Sequence, residues 1–365
     1  MKKILFWTLL VLNSVLLIKL RHFLPIVLGK NTLLDFDTYF RLTNDIKLGV
    51  NPYTVNYMTS LGPPSVYIFF YPFSFLPLTI ARSVFSIINI SFGILTLVIL
   101  SSKLFPKNRL LAFLIMFMVF FSSFPIRFSI EIGQPNLVIG CLLALLICYP
   151  KNKYLNIILS LATIIKTNYL IALVSFVKSN IKLVFKTVIT SVFLIVILFP
   201  VVKPSFYSYY IRNIQNNLLP KISKSESTDY YNQSIPARLN VLGVGEFSTS
   251  IYIILFLVII FLIYKSGNVL LGILASIILS PIAWQHYFAA LFPVFVVVFK
   301  KVGKSIAGRI FLISAYLFWW IEFPFLHQEK INIFTAILSS HYIISVIILF
   351  YLIRKHKIIT TSATK

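Results

Sequence analysis

The sequence predicts an all-α polytopic membrane protein. Hydrophobic residues make up 59% of its 365 residues, while charged residues make up only 12%. Apolar runs of about 15–22 residues recur from Ile4 to Ile353, close to the length that a helix needs to cross a bilayer. When these runs are threaded through a membrane, all nine acidic residues fall on one side and the Lys-rich loops on the other.

The net charge of +24 follows from these loops. In a soluble protein such a charge would favour nucleic-acid binding, but short basic loops without acids are typical of the cytoplasmic side of a membrane protein. We therefore expect no nucleic-acid partner, a plasma-membrane location and both termini in the cytoplasm. The loops 101–109, 178–182, 300–309 and 354–365 are predicted to be cytoplasmic, and the acid-bearing segments 28–65 and 203–247 extracytoplasmic.

The apolar runs predict roughly ten to twelve crossings within a single integral membrane domain, 1–365. The start of the chain is similar to a signal peptide, but no small-x-small cleavage site follows, so we interpret it as a retained first helix. Segment 66–79 contains Pro72 and Pro77 and is expected to lie at the outer surface or to dip into the membrane. The predicted crossings are about 4–24, 80–101, 110–126, 134–150, 183–202, 248–264, 268–283, 285–299, 308–325 and 332–353.

Segment 154–177 has lysines on both flanks, so both of its ends should lie on the cytoplasmic side. About 24 residues are too few for two full crossings. A re-entrant pair of half-helices with Lys166 at the tip satisfies both constraints, and non-helical backbone at that depth implies an internal cavity open to the outer side. Two separate helix breaks without a hairpin remain the alternative.

Five polar clusters fall on the acid-bearing side of this threading. They combine carboxylates, amides and aromatic rings, which bind sugar hydroxyls and sugar faces, with a few cations that stabilise a departing phosphate. Each cluster also has a structural explanation: Asp35 as a helix cap, Glu131 as a membrane-edge charge, His286 as an interfacial residue. The clusters are DFDTYF at 35–40, EIGQPN at 131–136, Lys166-Thr167-Asn168, NQSIPARLN at 232–240 and SPIAWQHY at 280–287.

The order of these clusters resembles glycosyltransferase family 87, a member of the GT-C superfamily. The resemblance runs from about residue 1 to 300, although Gln285 stands where the family often has Asp, and Tyr287 where a second His is common. The matching stretches are DFDTYFRLTNDIKLGVNPY, YIFFYPFSFLPL, Gly133-Gln134-Pro135-Asn136, IIKTNYLIAL around Lys166, Asn232-Gln233-Ser234 with Arg238, and Ser280-Pro281 with Trp284 and His286.

The resemblance implies a GT-C-type fold and a sugar transfer from a polyprenyl-phosphate sugar, with inversion, to a lipid-linked or cell-envelope glycan. The sugar would be mannose, another hexose or a pentose, and no metal or cofactor is implied. Asp35 is the expected catalytic base, with Asp37 as the fallback, and His286 is expected at the leaving phosphate. The other expected substrate-binding residues are Tyr39, Tyr53, Glu131, Gln134, Asn136, Lys166, Asn232, Gln233, Arg238, Trp284 and Gln285.

Two other classes of function are alternatives to a transferase. A transporter or flippase of lipid-linked sugars would also need a polar cavity, but it should carry coupling charges at mid-membrane on related halves, and no internal repeat is found. A purely structural subunit would not explain five polar clusters on one face.

Overall fold

The computed structural model describes residues 2–54, 62–197, 202–218, 231–244, 247–302, 305–323 and 333–358. Four of the nine acids, Glu226, Asp229, Glu246 and Glu329, lie outside these residues, so their predicted side is not described.

Helices account for most of the described chain, which contains no β-strand, and the prediction of an all-α polytopic membrane protein is confirmed. In chain order the helices are α1 (Lys2–Lys19), α2 (Leu24–Val27), α3 (Leu34–Lys47), α4 (Val66–Phe70), α5 (Leu78–Leu104), α6 (Arg109–Ser122), α7 (Phe124–Glu131), α8 (Asn136–Cys148), α9 (Leu155–Ile165), α10 (Val174–Val177), α11 (Ile181–Ile197), α12 (Ser205–Asn213), α13 (Ile235–Val241), α14 (Ser248–Ser266), α15 (Val269–Ile278), α16 (Phe292–Val302), α17 (Ile306–Trp320), α18 (Ile333–Ser339) and α19 (His341–Lys355). Short 3₁₀ turns occupy Leu20–Phe23, Tyr71–Phe75, Pro106–Asn108, Thr167–Leu173 and Gln285–Leu291, and a π turn occupies Ile214–Leu218.

Within the described ranges, three helical segments are long and apolar enough to cross a membrane alone: α5, α14 and the continuous segment Gln285–Val302. The pair α6 and α7, bent by 63°, would make a fourth. Several other predicted crossings contain apolar helices of only 10–17 residues. The predicted number of crossings therefore stays a prediction.

Prolines explain the clearest differences from the expected continuous crossings. The predicted crossing 110–126 ends at Ser122, and α7 begins with Phe124 and Pro125. Proline lacks a backbone N–H and fits the first turn of a helix, so Pro125 starts a new helix rather than continuing α6. Pro135 and Pro150 similarly bracket α8, which is shorter than the predicted crossing 134–150.

A set of contacts defines one end of the bundle as the Lys-rich end. The Lys103 Nζ lies 4.4 Å from the ring centroid of Tyr149, and the Asn268 Nδ2 donates to the backbone oxygen of Ile358 at 2.6 Å. Arg82, near the start of α5, pairs with Asp37 at the opposite end, which we call the acid-bearing end. At 1.5 Å per residue, Arg82 and Lys103 are roughly 30 Å apart along α5.

The segment from Leu155 to Val177 enters and leaves at the Lys-rich end. Helix α9 follows the turn after Tyr149, and Ser175 packs against Gly267 near the start of α15. Between them the backbone at Lys166 is extended (φ −142°, ψ 108°), and the 3₁₀ turn follows at once. The predicted break at Lys166 is confirmed, and both flanks lie where a re-entrant hairpin requires them.

The predicted orientation can be checked with single cysteines in a chain carrying Cys148→Ser. We expect Asn31→Cys to react with a membrane-impermeant maleimide on intact cells, because segment 28–65 is predicted to be extracytoplasmic. Ser179→Cys, in the predicted cytoplasmic loop 178–182, should react only after permeabilisation. Reaction of Ser179→Cys but not of Asn31→Cys on intact cells would reverse the orientation.

Candidate active site

The first turn of α3 is fixed by the turn that follows α7. The backbone N–H groups of Asp35 and Phe36 both donate to the carbonyl oxygen of Ile132, at 2.9 and 3.2 Å. Gly133 has φ +76°, and a Cβ placed on it would lie 2.6 Å from the Cβ of Phe36. The turn therefore approaches α3 more closely than any residue with a side chain would permit. Two clusters nearly 100 residues apart in sequence become one structural unit.

This unit fixes the carboxylate of Asp35. Gln134 Nε2 donates to Asp35 Oδ2 at 2.6 Å, and the backbone oxygen of Gln134 accepts a hydrogen bond from Asn89 at 2.8 Å. The half-buried Asp35 lies on α3, outside the predicted crossings. Burial raises the pKa of its carboxyl, while the Gln134 hydrogen bond and the charge of Lys166 oppose that rise.

The carboxylate of Asp37 has a different environment. Arg82 Nε donates to Asp37 Oδ1 at 2.8 Å, and Arg82 Nη2 donates to Oδ2 at 2.6 Å. The Asp37 side chain is only 5% exposed. A bidentate guanidinium–carboxylate pair uses both oxygens and is geometrically rigid. This pair ties α3 to the first turns of α5.

Lys166 brings a buried ammonium group to the same site. The residue is 9% exposed, and no described protein atom accepts a hydrogen bond from its Nζ. The Nζ lies 3.1 Å from the ring centroid of Tyr287, and it interacts electrostatically with Asp35. A buried ammonium without a hydrogen-bond acceptor is energetically costly, which indicates a site prepared for an anion.

His286 is a second buried group facing this region. It is 4% exposed, and neither ring nitrogen has a hydrogen-bond partner among the described residues. Its ring packs against Phe128 (centroids 5.6 Å apart) and Tyr287 (4.9 Å), and it lies within electrostatic range of Lys166. Asp35, Lys166 and His286 therefore belong to one cluster at the acid-bearing end.

Tyrosines line this cluster. Tyr39 lies close to Gln134 and stacks on Phe70, with ring centroids 4.5 Å apart. Tyr53 packs against Tyr210 of α12 with ring centroids 5.6 Å apart, and Tyr210 lies close to Thr167 at the hairpin tip. Tyr210 is not among the predicted site residues, because nothing in the sequence distinguishes it from the neighbouring tyrosines of 207–210.

The polar cluster at 232–240 is hydrogen-bonded to the polar cluster at 280–287. Asn232 and Trp284 form an isolated antiparallel bridge. The backbone N–H of Gln233 donates to the Ala283 oxygen at 2.7 Å, and Asn232 Oδ1 accepts from the Ala283 N–H at 3.2 Å. The backbone N–H of Gln285 donates to the Tyr231 oxygen at 3.0 Å. The Asn-Gln-Ser triplet thus fixes the turn that presents His286.

Arg238 contributes to a neighbouring polar cluster. Its Nη1 donates to the Ser339 side-chain oxygen at 3.1 Å, and it lies within electrostatic range of His341. Gln233 Nε2 donates to the backbone oxygen of Ser339 at 2.7 Å. Gln233 and Arg238 therefore connect α13 and the loop before it to the end of α18, and the role of Arg238 in substrate binding stays a prediction.

The family model described as glycosyltransferase family 87 matches residues 61–280, more than half of the chain. The chain belongs to glycosyltransferase family 87. No curated protein and no solved structure matches it.

Membership makes this chain a membrane glycosyltransferase. The matched range of the family 87 model includes Gln134, Lys166 and Arg238, whereas Asp35 and His286 flank it. The contacts described above, and not the matched range, bring Asp35 and His286 to the candidate site.

The remaining expected residues of this family 87 enzyme lie around the α7–α8 turn. Asn136 is buried and donates to the Ser129 side-chain oxygen at 3.2 Å, which fixes the turn. Glu131 is half-buried and lies with Arg127 within electrostatic range of Glu322. Among the described residues, no group of three or more His, Cys, Asp or Glu side chains is arranged to hold a metal ion.

Gly133 provides a test of how closely the α7–α8 turn must approach α3. Gly133→Ala should destabilise the protein, because alanine is strained at φ +76° by roughly 1–2 kcal/mol and its Cβ would collide with Phe36. Gly243→Ala is the matched control, since Gly243 has φ +81° but nothing within 4 Å of its would-be Cβ. The midpoint of thermal unfolding should fall further for Gly133→Ala. Equal falls would mean that the close approach contributes nothing.

Proposed function

We propose that this enzyme transfers a sugar from a polyprenyl-phosphate sugar to a hydroxyl of a lipid-linked or cell-envelope glycan. The observation that carries the proposal is the cluster of one carboxylate, Asp35, with two buried groups, Lys166 and His286, whose nitrogens have no hydrogen-bond partner among the described residues. A carboxylate suits the acceptor hydroxyl, and cations suit a phosphate. The transferred sugar would be mannose, another hexose or a pentose.

Asp35 is the proposed general base. Its carboxylate removes the proton from the acceptor hydroxyl, and the acceptor oxygen attacks the anomeric carbon from the face opposite the phosphate. The bond between that carbon and the phosphate oxygen breaks, and the polyprenyl phosphate leaves with the electron pair. Gln134 supports this role because its hydrogen bond at 2.6 Å orients the carboxylate. Asp37 is the weaker choice, since Arg82 occupies both of its oxygens.

Lys166 and His286 are proposed to stabilise the departing phosphate. Negative charge grows on the phosphate as the sugar leaves, and a cation already in place lowers the barrier most where water is scarce. Lys166 suits this role because it is buried and its Nζ, which donates to none of the described residues, can donate to a phosphate oxygen. His286 suits it because the Asn232–Trp284 bridge constrains its turn. Arg238 acts more indirectly, through Ser339.

The sugar and the acceptor are proposed to lie against the aromatic side chains nearby. Tyr39 and Tyr53 present ring faces next to Asp35 and the hairpin tip. The half-buried Trp284 adds a larger face at the turn of His286. We place this site on the extracytoplasmic side of the plasma membrane, where the acid-bearing loops are predicted to lie. Family membership favours this enzyme over the transporter or flippase of lipid-linked sugars.

The proposal is tested by incubating the purified protein with a panel of polyprenyl-phosphate sugars and glycan acceptors. Mass analysis should detect free polyprenyl phosphate together with a glycan enlarged by one sugar, for one member of the panel. Hydrolysis of the donor without an enlarged glycan, or movement of intact donor across a vesicle membrane, would contradict the proposal.

The two aspartates of α3 should respond differently to removal of charge. Asp35→Asn should lower turnover by about 10²–10⁴-fold, the usual contribution of a positioned base, with little change in thermal stability. Asp37→Asn should destabilise the protein by roughly 1–3 kcal/mol, because the half-buried Arg82 loses the charge that its guanidinium pairs with. Turnover per folded molecule and the unfolding midpoint separate the two effects. Near-normal turnover of Asp35→Asn would remove it as the base.

The pH dependence of turnover should report the charge of Lys166. A base works only when deprotonated, so activity is present above the pKa of Asp35 and is lost as the pH falls through it. Burial raises that pKa above the ordinary value, and Lys166 opposes the rise. Lys166→Met should therefore move the acid limb of kcat to a higher pH. An acid limb that stays in place or moves lower would contradict this arrangement.

A further inference from the structure

Tyr287 contacts the ammonium of Lys166, although the proposed reaction gives Tyr287 no role. Its ring face lies over the ammonium of Lys166, with Nζ 3.1 Å from the ring centroid. The aromatic face carries partial negative charge and attracts a cation, most strongly where both are shielded from water. Because no described protein atom accepts a hydrogen bond from this Nζ, the ring is the closest group that compensates the buried charge.

The ring of Tyr287 is itself held in place. Its backbone N–H donates to the Trp284 oxygen at 2.8 Å, and its ring packs against His286 with centroids 4.9 Å apart. It also lies within electrostatic range of Asp35. A rigid aromatic face therefore meets a long, flexible side chain whose backbone is at the extended tip of the hairpin.

We propose that Tyr287 is a positioning residue that holds the Lys166 ammonium on its ring face until the donor phosphate arrives. This inference rests on the proposed function, because it takes Lys166 as a ligand of that phosphate. A lysine side chain has four rotatable bonds, and confining it beforehand reduces the ordering that donor binding must supply. A phosphate oxygen makes a stronger, charge-assisted hydrogen bond with the ammonium than a ring does, so the ammonium can move from the ring to the phosphate.

The test compares Tyr287→Phe, which keeps the ring face, with Tyr287→Leu, which removes it. Tyr287→Leu should raise the KM for the polyprenyl-phosphate sugar about tenfold, with a smaller change in kcat. Tyr287→Phe should stay within about twofold of the unchanged enzyme. If Phe is as harmful as Leu, the hydroxyl is the active part and the proposal is wrong; it is also wrong if Leu changes nothing.

A double-mutant cycle with Lys166→Met isolates the contact from general packing. When the ammonium is already absent, Tyr287→Leu should raise the donor KM by less than about twofold further. Phe288→Leu is the control, since Phe288 is a buried ring beside Tyr287 that packs on Tyr342, and its effect should be the same with or without Lys166. An equal effect of Tyr287→Leu in both backgrounds would show a packing role and overturn the proposal.

Folding and donor chemistry are separated by two further observations. Thermal unfolding checks each variant, and Tyr287→Met replaces Tyr287→Leu if the latter does not fold. If Lys166→Met leaves the donor KM unchanged, the phosphate role of Lys166 and this inference fall together. If Lys166→Met raises the donor KM but Tyr287→Leu and Tyr287→Met do not, only this inference falls.

Discussion

The buried ammonium of Lys166 is the constraint on which the rest of the site depends. A lone positive charge inside a membrane protein persists only if the surroundings compensate it. Here the ring of Tyr287 and the carboxylate of Asp35 do so, and both come from segments far away in sequence. The hairpin that carries Lys166 must therefore be matched by the first turn of α3 and by the turn before α16. An anion entering between them would complete the compensation.

Close backbone packing fixes the position of α3 relative to the turn between α7 and α8. The Ile132 carbonyl accepts from two N–H groups at the start of α3, and Gly133 allows that approach. The Arg82–Asp37 pair then fixes α3 against α5. As a result, the orientation of Asp35 depends on backbone contacts and on an ion pair.

The sequence predicted the features that follow from charge and from hydropathy. Lysines on both sides of 154–177 predicted the break at Lys166, because the positive-inside rule and helix length together left few alternatives. The resemblance to family 87 brought Asp35 and Gln134 to one site. Spacing alone could not have done so, since the two residues meet through a turn whose shape depends on Gly133.

Other features needed the structure. The helix break at Pro125 falls inside an apolar run, so hydropathy alone does not predict it. The pairing of Asp37 with Arg82 could not be predicted from the sequence. Arg82 lies in the long apolar stretch of α5, and no acidic residue lies near it in sequence. Arg238 was predicted as a substrate-binding residue, and its contact with Ser339 of α18 could not be predicted, because nothing in the sequence links the two residues.

A structure of the protein with polyprenyl phosphate bound would test the central claim most directly. Polyprenyl phosphate is the leaving group, so it should occupy the phosphate position without needing the sugar. We expect a phosphate oxygen within hydrogen-bond distance of Lys166 Nζ and near His286, with the ammonium moved off the Tyr287 ring. A phosphate bound instead beside Arg238 and Ser339, with Lys166 still on the ring, would contradict it.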